Sequence, residues 1–308
     1  MAMFLAFLSI LNIDILSISL IFGILGFGVF ISFKILNITD LTVEASYGFG
    51  AALCGLCCKN LNPVLGLIIA FLGGSIAGLI TALLHTKLKI NAILSGILTL
   101  TAFYSVNLIV TNSTTVLAFA DNTIFPKNDV LKLLVLLGIV VIIASSISFF
   151  FRTKLGLSLR ATGDNEQMTK TQCISTDLMK IIGLMLSNGL VALAGALFVE
   201  FQGTYFSNIE KGVMVVGVAT IIIGEVITLR RHSIELILLG IIGGSIIYRM
   251  IYNIALEIDL LQARDMQLVQ AIFLIIILVG SIIFDRYSNK KNMNKIYERL
   301  SKEEDLNA

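Results

Sequence analysis

The sequence predicts an all-α polytopic membrane protein, on three observations. Hydrophobic residues make up 57% of the 308 positions and charged residues 14%, where a soluble domain carries roughly 25% charged. Mean hydropathy is +0.95. Apolar stretches recur at about 20 residues, the length a helix needs to cross ~30 Å of hydrocarbon at ~1.5 Å per residue. These figures exclude a soluble globule, a disordered chain, a coiled coil and a nucleic-acid module. A formal net charge of +2 supplies no field for a polyanion, so no nucleic-acid partner is expected.

Nine transmembrane spans are expected, over about 15–36, 41–59, 63–84, 90–110, 130–151, 178–200, 212–229, 234–256 and 267–284. The second and seventh are short and rich in Gly or Ala, and these are the ones expected to be broken or re-entrant. The start MAMFLAFLSI has no basic n-region and no small-residue cleavage site, so the first span is expected to remain as an anchor. Placing the 285–308 tail in the cytoplasm puts every basic residue on that side except Lys59, Lys127, Lys132, Lys211, Arg249 and Arg264. Lys and Arg favour the cytoplasmic side, so the N-terminus is expected outside. The membrane domain then covers 1–284. Residues 111–129 form a polar external loop, and 152–177 form the longest internal one.

Gly73-Gly74-Ser75-Ile76 recurs as Gly243-Gly244-Ser245-Ile246, in the third and eighth spans. Five spans separate the copies, so they would cross in opposite directions, as in an inverted repeat; coincidence in a Gly- and Ile-rich chain is the alternative. Gly74/Gly78 and Gly240/Gly244 are glycines four apart, which let another helix approach one face closely. Helix packing is the expected role. Cys54, Cys57 and Cys58 read as small, soft side chains in a membrane helix, with a redox or metal pair at Cys54-x-x-Cys57 as the alternative. No Cys/His metal spacing, Walker loop or nucleophile motif is present, so no metal and no catalytic residue is assigned.

Glu44, Glu225 and Arg249 lie in apolar stretches, where an ionisable group costs several kcal/mol unless paired or wetted. Capping or snorkelling is one reading of the two acids. The other is a central pathway lined by Glu44 with Ser46 and Tyr47, and by Glu225. Asn91, Ser95, Asn107 and Asn188 add hydrogen-bonding groups in spans four and six, Asn91 and Asn188 being the pathway candidates; bonding another helix is the alternative.

In the 152–177 loop, Gly163 is expected to break the chain. Asp164 would then cap a short helix as a capping box with Gln167, running through about Cys173. Ser175 or Thr176 would cap the next span, with Asp177 in its first turn.

The stretch Gly156-Leu-Ser-Leu-Arg160-Ala-Thr-Gly163-Asp-Asn165 resembles the ATPase-coupling loop of bacterial ABC importer permeases of the branched-chain amino acid and ribose type. Two further stretches resemble that family in order: Asp40-Leu-Thr-Val-Glu44-Ala-Ser-Tyr-Gly48-Phe-Gly50-Ala51, and Gly212-Val-Met-Val-Val-Gly217-Val-Ala219-Thr-Ile-Ile-Ile-Gly224. The resemblance covers about 35–285. The chain departs from the pattern at Met168 and Cys173-Ile174, where small residues and Gly-Ile are usual. The wording of the Asp40 motif is closest to a subgroup for amino acid uptake, aromatic ones included.

The resemblance implies a permease subunit in the bacterial cytoplasmic (inner) membrane that is not itself an enzyme and holds no cofactor. ATP and Mg would sit on two cytoplasmic ATP-binding cassette subunits. A second permease subunit, as homo- or heterodimer, and an extracytoplasmic solute-binding protein complete the assembly in the membrane lipid. Arg160, Ala161, Thr162, Gly163, Asp164, Asn165 and Glu166 would contact the ATPase. The solute would be a branched-chain or aromatic amino acid, with its ammonium near Glu44. An ion-coupled secondary transporter and an intramembrane enzyme are the rival readings.

Overall fold

The computed structural model describes residues 13–119, 122–228, 233–257 and most of 268–280; the 285–308 tail lies outside the described residues. The chain is helical almost throughout. Helix α1, Ile13–Val29, runs on into a π-helical turn, Phe30–Ile35. Then come α2 (Thr42–Asn60), α3 (Pro63–Thr86), α4 (Ala92–Val110) and α5 (Asp129–Arg152). Two short helices, α6 (Lys154–Asp164) and α7 (Glu166–Thr171), precede the longest, α8 (Thr176–Gln202). Helices α9 (Val213–Ile227) and α10 (Ile234–Glu257) follow, and a short apolar helix, α11, spans Gln270–Gly280. Two three-residue strands, β1 (Val116–Ala118) and β2 (Thr204–Phe206), pair antiparallel outside the helices.

Six of these are long and apolar enough to cross a membrane: Ile13–Ile35, Pro63–Thr86, Ala92–Val110, Asp129–Arg152, Thr176–Gln202 and Ile234–Ile254. α9 and α11 are shorter, and α2 carries Glu44 and Lys59 among its 19 residues. The expected nine spans thus separate into six long apolar helices and three shorter or more polar ones, the second and seventh among the latter.

Asparagines start three helices in the same way. Asn62, Asn91 and Asn128 each accept a hydrogen bond from the N–H two residues on, satisfying one of the donors that a helix start leaves free. Helix α8 sits at the centre. Ser187 on it donates to the Gly28 carbonyl of α1 at 2.7 Å. Gly74 and Gly78 bring α3 onto α8, where an added Cβ would meet Ala192, Asn188 and Leu184. Gly240 and Gly244 bring α10 onto α9 at Gly224 and Thr220. The two matched tetrapeptides have corresponding neighbours: Ser75 lies against Gly189 of α8, and Ser245 against Gly23 of α1.

The outer surfaces of α3, α4 and α5 are apolar and open. Ile68, Leu72, Ile76, Leu134 and Ile142 are among the exposed large side chains, as expected where lipid is the solvent.

Candidate functional site

Helix α2 begins deep inside the bundle. Ser46 meets Asn188, 142 positions on, and Gly50 meets Ala192 at the same offset, so α2 and α8 run parallel. At that offset Asn60 is level with Gln202, where both helices end. Thr42 is level with Leu184, eight residues past the start of α8 at Thr176, or about 12 Å further in. The segment before α2 descends to this depth without regular structure, and Asn37 takes a positive φ of 55°.

A non-helical segment inside a membrane protein needs internal hydrogen-bond partners, and a buried polar chain supplies them. Asp40 is 2% exposed. One of its carboxylate oxygens accepts the Thr42 N–H at 2.9 Å and the other accepts Asn188 Nδ2 at 2.7 Å. Ser46 donates to Asn188 Oδ1 at 2.6 Å. The Thr42 and Thr81 hydroxyls lie 2.6 Å apart, and Thr81 donates to Thr99 at 2.9 Å. The chain links α2, α3, α4 and α8. Among the expected pathway residues, Asn188 and Ser46 therefore face each other, with 0% exposure for both.

The other pathway candidates lie apart. Asn91 is not at mid-depth: it is the exposed N-cap of α4, its side chain accepting from Ile93 N–H at 2.9 Å. Glu225 forms an ion pair with Lys34 at 2.7 Å, tying α9 to the π-helical turn. Tyr47 is buried beside Phe198 of α8, ring centroids 6.4 Å apart. Glu44 accepts the Gly212 N–H at 3.2 Å. The start of α2 thus meets the start of α9, two interrupted helices in contact. Gly212 has φ 81°, the left-handed region open to glycine. Asp40, Thr81 and Thr99 were not singled out from sequence; the only signal for Asp40 is its place in the second-span motif.

The 152–177 loop differs from expectation in its helix boundaries and caps, and it holds two short helices where one was expected. Gly163 does not break the chain. It is the penultimate residue of α6, and the cap of the next helix is Asn165, which accepts Met168 N–H at 3.0 Å; Asp164 and Gln167 make no capping box. Gly163 is needed for closeness, because a Cβ there would overlap the Ile35 carbonyl. Asn37 Nδ2 donates to the Gly163 carbonyl at 3.0 Å. Thr162 and Leu159 are buried on this side, and Leu159 lies with Leu36 against Gly183 of α8. Arg160 and Ala161 are half-buried, while Asp164, Asn165, Gln167 and Met168 are exposed. So α6 presses on the segment 35–37 that leads directly to Asp40.

Glu166 locks α7 to α8. It pairs with Lys170 at 2.8 Å and Lys180 at 2.7 Å. The two ammonium groups, Lys170 first, pull its carboxyl down to about 2. Asp177 lies in the first turn of α8, as expected; Ser175 precedes that helix without a side-chain capping bond.

The cysteines pair differently from the sequence pattern. Cys54 faces Cys58, not Cys57, because positions four apart share a helix face. Their sulfurs are 3.8 Å apart, and with Glu200 they place possible metal-ligand atoms within 4.8 Å of one another. Hydrogen bonds already occupy Glu200: Cys54 donates to one oxygen at 3.3 Å and Ile124 N–H to the other at 3.1 Å.

These features define a multi-pass all-α membrane protein with interrupted helices at its centre and a pair of short helices at one end. The chain belongs to the family described as branched-chain amino acid transport system / permease component, whose pattern matches residues 11–279. It is 34% identical over 296 residues to the "Tyrosine transport system permease protein" of Clostridioides difficile (strain R20291), covering 96% of this chain and 98% of that one. It is also 34% identical to "Uncharacterized protein RP368" of Rickettsia prowazekii (strain Madrid E), over 69% of this chain and 76% of that one. The "Autoinducer 2 import system permease protein LsrC" of Yersinia pseudotuberculosis (strain IP32953) is 25% identical, over 61% of this chain and 54% of the relative. No solved structure matches the chain.

Proposed function

We propose that this chain is the permease subunit of an ATP-binding cassette importer that carries an amino acid, aromatic in preference, into a bacterial cell. Family membership and the likeness to a tyrosine transport permease support the cargo. The mechanism rests on one observation, the side-chain-free contact of Gly163 with the Ile35 carbonyl.

ATP-driven closure of partner subunits would move α6 and α7, gripped by the exposed Asp164, Asn165, Gln167 and Met168. The half-buried Arg160 and Ala161 and the buried Thr162 would transmit that motion to the bundle. Because α6 touches residues 35–37, the displacement passes to Asp40 and to the start of α2 at mid-depth. Interrupted helices at the midplane are where transporters open and close a solute path. Glu44, beside Gly212 at the meeting of two such helices, would take a solute ammonium. The crossing count is nine, the N-terminus is outside, and the coupling helices and tail lie inside. A second permease subunit completes the passage, and an external binding protein delivers the solute.

Gentle solubilisation of the tagged chain tests this. An ATPase should co-purify, and Gly163→Val should lower ATP-dependent tyrosine uptake about tenfold or more, since overpacking costs ~1–3 kcal/mol. Uptake that survives ATP depletion but stops with an ionophore would identify an ion-coupled carrier instead.

A further inference from the structure

One cavity borders the meeting of α2 and α9 and contains groups that the proposed function does not use. It has a volume of about 160 Å³, between α1, α2, α8, α10, α11 and the loop before α9. Its charged lining residues are Lys211 and Arg249, with no acid among those described. Phe22, Tyr47, Phe198 and Tyr252 supply aromatic faces.

Arg249 is the unusual member. It sits in a membrane-spanning helix, where a guanidinium costs several kcal/mol unless compensated, and no ion pair joins it to an acid among the described residues. Two rings compensate in part: its Cζ lies 5.0 Å from the centroid of Tyr252 and 5.7 Å from that of Phe22. Stacking of that kind uses the face of the guanidinium and leaves its in-plane N–H donors open. Among the described residues its buried Nε has no hydrogen-bond partner, and neither has the buried hydroxyl of Tyr248, its neighbour in the same lining. Buried orphan donors are rare because each forfeits about 1–3 kcal/mol. Two on one cavity indicate an absent acceptor.

We infer that this cavity binds the carboxylate of the transported solute, with Arg249 and Tyr248 as its donors and the Phe22, Tyr47 and Phe198 rings against its side chain. An arginine fork matches a carboxylate in two parallel hydrogen bonds. The aromatic walls favour a flat apolar side chain, which narrows the class to aromatic amino acids. The cavity is smaller than the roughly 300–1,000 Å³ of ligand-sized pockets, so the loop at Gly212 must give way to admit the whole molecule. That loop is tied to Glu44, on the ammonium side of the proposed function. The inference rests on the importer reading for its cargo, but binding can be measured without transport.

The experiment follows thermal unfolding of the solubilised full-length protein, without binding protein or ATP. The probes are L-phenylalanine, 3-phenylpropionate (no ammonium) and phenethylamine (no carboxylate). The first two should raise the midpoint and the third should not, since only ligands that bind the folded state stabilise it. Arg249→Gln should weaken that protection about tenfold or more, as loss of a buried charged donor does; Arg249→Lys should keep part of it. Tyr248→Phe should weaken it several-fold with the unliganded midpoint unchanged. Protection by all three compounds alike, by none, or undiminished in Arg249→Gln would overturn the site. Failure of both Arg249 variants to fold, with Tyr248→Phe protected like wild type, would do the same. ATP-dependent tyrosine uptake that persists in Arg249→Gln would remove this site and leave the importer reading standing.

Discussion

At the residue scale, the decisive groups are polar side chains that complete one another inside an apolar bundle. Asn188 serves three partners: it accepts from Ser46 and donates to Asp40 and to the Leu184 carbonyl. Asn188→Ala strands one oxygen of the Asp40 carboxylate and the Ser46 hydroxyl together, while Thr42 keeps the other oxygen. Each orphaned group costs about 1–3 kcal/mol, so thermal unfolding in detergent should show one of the largest losses of any single substitution in the bundle. An unchanged midpoint would mean that water replaces the amide. Glu44 makes a different prediction. Its carboxylate accepts from the Gly212 N–H at 3.2 Å and from the Met214 N–H, and an amide oxygen can accept both, so Glu44→Gln should leave unfolding within about 1 kcal/mol. Tyrosine uptake should fall several-fold if the carboxylate meets the solute ammonium; unaltered uptake and preference would withdraw that role. Asn188 was legible as a membrane polar residue, whereas its partner Asp40 lies 148 positions away and no local pattern announces it.

At the scale of elements, α6, α7 and the start of α8 form the lever proposed for coupling. Its anchor is the Glu166 cluster with Lys170 and Lys180. Because the folded carboxyl is depressed to about 2 from its ordinary 4.5, the folded state binds protons less readily than the unfolded one. The anchoring is therefore complete above about 4.5 and is lost as pH falls toward 2. Hydrogen-exchange protection over 165–180, taken relative to the intrinsic rate at each pH, should fall in that window, and Glu166→Gln should be weakly protected at every pH. Protection in the native protein that stays constant down to pH 2 would show that apolar packing of Leu159, not the ion pairs, holds the lever. A short helix after Gly163 was readable from the Gly163-Asp164-Asn165 stretch, but α6 before it was not. The cap was misplaced by one residue, because both Asp and Asn are good caps and α6 continues through Gly163, which fits against the Ile35 carbonyl.

At the scale of the whole molecule, charge sorts the two ends. Lys34–Glu225 and Arg152–Glu235 pair at the end that carries the lever, where His85, Lys87, Lys89 and Lys180 also border one cleft. Lys132 lies over the Phe201 ring near the opposite end of α8. The basic end should face the cytoplasm. Cys173, exposed beside the lever while Cys54, Cys57 and Cys58 are buried, reports on this directly. A membrane-impermeant maleimide should label it in opened cells and not in intact ones. Labelling in intact cells would invert the topology and remove the importer mechanism.

Composition and apolar period by themselves determined the membrane class and the position of the long helices, because burying a helix in lipid demands a run of apolar residues that any reading of the chain detects; the family was legible only through the resemblance of three motifs, around Asp40, Gly163 and Gly217. Glycine spacing also announced close helix contacts at Gly74/Gly78 and Gly240/Gly244. Tertiary structure alone decided how deep each helix starts, which polar groups satisfy one another, and that Cys54 faces Cys58 and Glu200. Arg249 shows the difference best: as a residue in sequence it is a costly charge in an apolar run, and only the rings of α1 and α10 around it, with an empty donor position between them, turn it into a receptor. Tyr252 is local to Arg249, but Phe22 comes from α1 at the other end of the chain, and complementarity between distant segments leaves no periodic trace in the order of residues.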